Sequence, residues 1–274
     1  MKCAPIAIPV YDRPVHFRNC IESLKKNKGA EDTTLYICSD GPRDDRSVIL
    51  VGQVRDYIKT IHGFRDVIVF QPKENTGKAA WFETRQNLSN ENTSFIITED
   101  DNVFSPYFLK FMNEGLERFE NEPQVAAICG YNYPGFPSEK SHSIALRDFS
   151  AWGYGTWRGK DPLSNVNMHN EALNVFSDLT LFRKINKGLP HVVHTLSLVL
   201  ESGVRAGDAI VAAHLYETSK VCIFPSISLV SNRGHDGSGE HCGLSDSYSS
   251  QNLSNEQIHH TLFESFEPLD THKN

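Results

Sequence analysis

What most restricts the fold of this chain is the order in which short apolar runs and amphipathic stretches alternate between residues 5 and 129. Pro5 to Val10, Leu35 to Cys38, Val67 to Phe70, Phe95 to Thr98 and Val125 to Cys129 have the length and composition of strands, the fourth of them a buried one. Stretches of helical period separate them. After Asp12, a candidate cap, and Pro14, the residues Phe17, Cys20, Ile21 and Leu24 fall on one helical face. Helices are predicted over 46–61 and 78–88. A further helix is predicted over 106–120, with Ser105 as N-cap, Pro106 at the first helical position, and Phe108, Met112, Leu116 and Phe119 as its apolar stripe. Strands alternating with helices predict an α/β fold with a mostly parallel central sheet flanked by helices.

The rhythm breaks after Gly130. Residues 131–143 are rich in Pro, Gly and aromatics and read as a loop. Helices are predicted over 170–186, 192–202 and 209–217, and a late strand over Val221 to Pro225. From Ser231 the chain is rich in Gly, Ser, His and Asp, and the tail after Asn252 reads as a peripheral helix or a loose end. No repeat and no long linker divides the 274 residues, so a single domain over 1–274 is expected. A net charge of -7 argues against a nucleic-acid surface, which needs a basic stripe. No apolar run reaches the roughly 18 residues that span a bilayer, and the first residues lack the pattern of a signal peptide. The 6 cysteines form no C-x-x-C pair, and Cys38, Cys129 and Cys222 lie in strand-like runs. This usage fits a reducing, cytoplasmic compartment.

Polar groups collect just after successive strands. Tyr11-Asp12-Arg13 follows the first, Ser39-Asp40-Gly41 the second, Asn75-Thr76-Gly77-Lys78 the third, and Glu99-Asp100-Asp101 the fourth. In a parallel sheet these ends share one edge, where open α/β sheets bind ligands. A nucleotide suits the set: Asp40 can accept from a base or a ribose hydroxyl, and Lys78 can reach a phosphate. Asp40-Gly41 and Asn75-Gly77 are also what ordinary turns look like; the ordered series is harder to explain by turns alone. Packed carboxylates repel, and a hard divalent cation shared with a phosphate relieves the conflict. G-x-G-x-x-G, G-x-x-x-x-G-K-[ST] and G-x-S-x-G are all absent, which disfavours a dinucleotide oxidoreductase, a P-loop phosphotransferase and a serine hydrolase.

The segments PIAIPVYDRP (5–14), LYICSDGP (35–42), Asn75-Thr76-Gly77, EDD followed by Ser-Pro-Tyr-Phe, and the late SNRGHDGSGEHC block resemble GT-A fold glycosyltransferases. The likeness is to bacterial family 2-type sugar transferases and to the N-acetylglucosaminyltransferase I type, over residues 4 to 243. It implies a metal-dependent, inverting transfer from a nucleotide diphosphate sugar, with a UDP-sugar as leading donor, to a hydroxyl of a glycan or lipid-linked saccharide. The transferred unit would be a hexose or N-acetylhexosamine, in glycan or surface-polysaccharide synthesis. A cytoplasmic site, including the inner face of the membrane through peripheral contact, is compatible with it.

The same resemblance distributes roles. EDD stands for the DXD motif, with Asp101 as ligand of Mn2+ or Mg2+, Asp100 on the sugar or ribose, and Glu99 in support. Val10, Tyr11, Arg13, Asp40, Asn75 and Lys78 fall on the donor side, so that 1–130 is the nucleotide-sugar half. Residues 131–250 form the acceptor and catalytic half, and 251–274 a tail. FSAWGYGTWR (149–158) resembles the loop and helix start that close over the donor, with Trp152 stacking on the sugar and Arg158 near the diphosphate or pairing an acid. Trp157 suits a sugar face or the core equally. Asp208, in Arg205-Ala206-Gly207-Asp208-Ala209, takes the place of the catalytic base, although no Trp precedes it and no second Asp follows; it also suits a helix N-cap. His241 would complete the metal shell or bind the phosphates, with His235 and Asp236 as competitors. A nucleotidyltransferase and a non-catalytic nucleotide-sugar binding module remain as alternatives.

Overall fold

The computed structural model describes residues 3–133, 142–164, 166–239, 244–245, 248 and 252–260. Its first half follows the predicted alternation with one added strand, β5, in the stretch expected to be a loop: β1 (Ile6–Val10), α1 (Pro14–Leu24), β2 (Thr34–Ser39), α2 (Asp45–Ile58), β3 (Asp66–Phe70), α3 (Ala79–Glu91), β4 (Ser94–Ile97), β5 (Asn102–Phe104), α4 (Phe108–Arg118) and β6 (Val125–Cys129). The second half holds β7 (Ser143–Leu146), β8 (Tyr154–Trp157), α5 (Met168–Ser177), α6 (Leu179–Gly188), α7 (Pro190–Ser202), α8 (Gly207–Glu217), β9 (Val221–Pro225) and β10 (Val230–Asn232).

Among the described residues, the main sheet has 8 strands in the order β3-β2-β1-β4-β8-β6-β9-β7. All run in one direction except β8 and β7. The predicted class, a mostly parallel sheet flanked by helices, is the class observed. From β1 the chain moves outward to β2 and β3, then returns to β4 on the other side of β1. The carboxyl ends of β1 and β4 therefore flank the topological switch point, where the helices diverge and leave a crevice. Immediately past β4, the short antiparallel ribbon of β5 and β10 pairs Asn102 with Asn232 and lays a C-terminal segment over the exit of β4.

Several local expectations shift for identifiable reasons. Pro14 occupies the first turn of α1, so the N-cap is Arg13 and not Asp12. Ser105 does not cap α4: its Oγ accepts from Tyr107 N at 3.2 Å and donates to Ser254 O at 2.6 Å, and the helix begins at Phe108. The helix predicted over 170–186 is two helices, because Asp178 accepts from Thr180 N and Leu181 N at 2.8 and 3.0 Å and starts α6 afresh. FSAWGYGTWR does not lead into a helix. Its second half is β8, inserted antiparallel between β4 and β6. Strand β7 begins at Ser143, inside the predicted loop, of which residues 134–141 lie outside the described residues. Of the tail, residues 261–274 lie outside them too.

Helices α5 to α8 have a core of their own, built from Ala172, Val175, Leu181, Ile185, Val192, Leu196, Val199, Ile210 and Ala213. Among the described residues, no helix is long and apolar enough to cross a membrane. Cys38, Cys129 and Cys222 are buried free thiols in β2, β6 and β9.

Candidate active site

The acid triplet leaves β4 at the switch point. Asp100 and Asp101 are 4% and 5% exposed, which forces their charges to be answered from within the protein. Arg13, at the carboxyl end of β1, supplies most of the answer. Its Nη2 and Nε donate to the two carboxylate oxygens of Asp100, and its Nη1 donates to Asp101 Oδ2 at 2.8 Å. Asp101 Oδ1 accepts from Asn232 Nδ2 at 2.9 Å, and Asp101 O accepts from Arg233 N at 2.9 Å. The β10 segment thus holds the ligand candidate by side chain and backbone. A methyl group on Gly234 would lie 2.0 Å from Asp101 Oδ2, so only glycine lets the chain pass this close to the carboxylate.

The charges at this edge do not balance. Burial raises Glu99 well above the usual carboxylate range, and Asp101, Asp208 and Asp100 push it further against the pull of Arg13. Asp100 rises to about 6 through burial, with Arg13 opposing and Asp101 adding. Burial would lower the Arg13 guanidinium, but Asp100 and Asp101 raise it beyond its ordinary value. Arg13 answers Asp100 and Asp101 and draws on Glu99, His16 adds a weaker pull on Asp100, and Asp208 acts on Glu99 only as a further repelling charge.

Asp208 sits in the first turn of α8, but Ala206 is the N-cap. The carboxylate instead turns to the loop after β7 and accepts from Ala151 N at 3.5 Å. That single long contact does little to offset burial, which lifts Asp208 to about 6. The same loop carries Asp148, which the sequence did not bring forward. Burial raises it to about 7, Phe149 N opposes with a 2.8 Å hydrogen bond to its own Oδ1, and Asp208 adds repulsion. Tyr133, whose hydroxyl donates to Phe149 O at 3.2 Å, is raised by burial and by both Asp148 and Asp208.

Trp152 closes this side. Its ring meets Tyr131, Tyr248 and His235 edge-on at centroid distances of 4.6, 5.1 and 5.7 Å. Beside it, Tyr131 Oη and His235 Nε2 are buried and have no hydrogen-bond partner among the described residues. Such atoms are uncommon in native proteins and mark a place for a polar ligand or water. Asp236 pairs with His16 at 3.1 Å rather than with the triplet. His241 lies outside the described residues.

The loops after β2 and β3 are laced together by their own polar groups. Asp40 Oδ1 accepts from Gly41 N, Thr76 Oγ1 and Thr76 N at 2.8, 2.9 and 3.0 Å, whereas among the described residues Oδ2 accepts only from Thr76 N, at 3.2 Å. Asn75 Nδ2 donates to Gly41 O at 2.8 Å. Asp40 and Asn75 therefore join the loops after β2 and β3. Arg55 reinforces them from α2 by donating to Ser39 O, Asp40 O and Pro72 O. Val10 ends β1 and is buried; Tyr11 accepts from Arg43 N at 3.2 Å, and Lys78 is exposed at the N-cap of α3.

Two candidates are placed elsewhere. Residue Ser94 of β4 pairs with Trp157, so Arg158 lies at the amino end of β4, opposite the acids. Its Nε donates to Ser89 O and Asn92 O and closes the end of α3, so it does not join the site. Trp157 is core, donating to Leu116 O at 3.0 Å. Asn232 and Gly234 were missed as contacts of Asp101, although the block containing them stood out for its Gly and His content. Asp148 gave no sequence signal; only the path of the chain brings it to Asp208.

No protein-family model matches the chain, and no curated protein matches it. Among solved structures, a mannosyltransferase from Pyrobaculum calidifontis, in complex with GDP-Man and Mn2+, is 13% identical over 78% of this chain and 69% of that one, with a TM-score of 0.45. Staphylococcus aureus TarS 1-349 with UDP is 13% identical over 84% of this chain and 60% of that one, at 0.41. The same fragment with UDP-GlcNAc is 14% identical over 60% and 47%, at 0.38. At such identities and scores no function is carried across.

Proposed function

We propose that this chain is a glycosyltransferase that moves a sugar from a nucleoside diphosphate sugar to an acceptor hydroxyl, with inversion and with the help of a divalent cation. The observation that carries the reading is the gathering of buried carboxylates at the switch-point crevice: Asp100 and Asp101 share the guanidinium of Arg13, and Glu99 lies between that pair and the repelling charge of Asp208. Excess buried negative charge built from hard oxygen donors suits Mg2+ or Mn2+. Among the described residues, no three acid or histidine ligand atoms converge here; the one convergent group is Glu171, His214 and Glu217 on α5 and α8. The protein therefore offers part of a coordination shell, as in sites where substrate phosphates complete it. Asp101 would hold the ion, with His241 as a further candidate. When bound, the ion supplies Lewis-acid stabilisation of the departing diphosphate.

The rest of the chemistry falls to the chain's own residues. Asp208, poorly hydrogen-bonded and raised to about 6, is charged at neutral pH yet basic enough to take a hydroxyl proton. Arg13 neutralises part of the triplet and faces the incoming phosphates. Asp100 would accept from a ribose or sugar hydroxyl while held by Arg13, and Asp40, Tyr11, Asn75 and Lys78 would line the nucleotide side. Trp152 offers an apolar face to the sugar, with the orphaned Tyr131 Oη and His235 Nε2 as partners for its hydroxyls.

The test is a screen of nucleotide sugars, with Mn2+ and with Mg2+, for nucleoside diphosphate release, followed by NMR of the anomeric centre. Release with inversion, lost in Asp208→Asn and Asp101→Asn, is expected. Pyrophosphate release would identify a nucleotidyltransferase, retention would remove Asp208 as base, and tight binding without turnover over a panel of acceptors would identify a binding module.

A further inference from the structure

The outer face of the α5–α6 corner combines two features that a protein surface usually keeps apart. Leu173, Phe176 and Leu179 are 45%, 39% and 59% exposed. The Phe176 ring rests against Phe182 at 5.7 Å, which joins the outer faces of the two helices into one apolar area. Directly beside it, Leu179, Arg183 and Lys187 follow one another at four-residue steps along one row of α6, with Lys184 alongside. Helix α6 contains no acidic residue. Arg183, Lys184 and Lys187 are exposed, and among the described residues none of them makes an ion pair or a side-chain hydrogen bond. Scarcity of acids does not explain this, since the chain has 34 acidic residues against 27 basic ones.

We infer that this corner docks on an anionic lipid bilayer, with Leu173, Phe176, Leu179 and Phe182 entering the headgroup boundary and Arg183, Lys184 and Lys187 meeting lipid phosphates. Unpaired cations flanking exposed aromatic and aliphatic side chains are the pattern of an interfacial helix, which gains both from apolar burial and from the negative surface potential. An acidic protein would satisfy the cations, but a bilayer also takes up the apolar side chains without needing a complementary groove. Helix α8, which carries Asp208, shares a core with α5 and α6, so docked face and acid site belong to one packed unit. The inference does not depend on the chemistry of that site.

Cosedimentation of the full chain with vesicles tests it, comparing phosphatidylglycerol–phosphatidylcholine mixtures with phosphatidylcholine alone, at low and at high salt. Binding to the anionic vesicles only, weakened by salt, is expected. Arg183→Gln, Lys184→Gln and Lys187→Gln should each weaken it about fivefold. Leu179→Ser should weaken it further at unchanged charge. All these side chains are exposed, and an unchanged circular dichroism spectrum and unfolding midpoint will show that the variants fold. Three outcomes would overturn the inference: no binding to anionic vesicles, equal binding to neutral ones, or a triple glutamine variant that binds like the parent. So would equal binding to soluble polyglutamate that is indifferent to Leu179→Ser, which would assign the face to an acidic protein.

Discussion

Asp208→Asn separates the chemistry of the site from its cost to the fold. Burial raises the Asp208 carboxyl from the ordinary 3.8 to about 6, against a weak hydrogen bond from Ala151 N. Glu99, Asp148, Tyr133 and Tyr154 face the same charge, and none is a cation. A folded-state value above the unfolded one means that the native state binds an extra proton between the two. Stability from this group is then complete below about 3.8, falls as pH rises, and is lost above about 6. Two pK units correspond to about 3 kcal/mol. The carboxylate keeps some contact with water, so about 1–3 kcal/mol is expected at neutral pH. Asparagine keeps the shape and the acceptor for Ala151 N but carries no charge. The variant should therefore be more stable than the parent by that amount at pH 7.5, a rise of at least ~2 °C in unfolding midpoint for a chain of this size. The gain should shrink toward pH 5 and vanish near pH 4. Transfer activity should fall by about 10²-fold or more, since a general base contributes on that order. Urea unfolding at several pH values, run beside nucleoside diphosphate release, measures both effects. A variant that is destabilised at pH 7.5, or whose gain is the same at every pH, or which retains activity within tenfold, would refute the reasoning.

Three further perturbations follow from the same geometry. Arg13→Met leaves Asp100 and Asp101 buried without their cation, and should cost about 3–5 kcal/mol at neutral pH, partly recovered on acidification as Asp100 takes up a proton; urea titration at pH 7.5 and 5 will show this. Gly234→Ala drives a methyl against Asp101 Oδ2 and should abolish metal-supported activity while lowering stability by about 1–3 kcal/mol, read by steady-state assay and calorimetry. Arg158→Ala loosens only the exposed end of α3; activity should be unchanged and stability should fall by less than about 1 kcal/mol.

The sequence by itself determined the strands and helices of the first half apart from β5, because the others are short apolar runs or helical stretches whose pattern is local, whereas β5 forms only by pairing with the distant β10. It also determined that the polar groups after β1 to β4 share one edge, since parallel strands leave no other arrangement. The antiparallel insertion of β8 was not legible: Tyr154 to Trp157 is apolar and aromatic, and nothing local says which neighbours it will pair with. That choice carried Arg158 to the far end of the sheet. Tertiary structure alone decided how the acids are answered. Asp101 is separated by 131 residues from the Asn232 that holds it, and Asp100 by 87 from Arg13. Asp148 meets Asp208 only because the loop after β7 folds against the first turn of α8. A carboxylate's type and strand position are written in the chain. Its charge state depends on burial and on the charges around it, and those are fixed only when distant segments pack.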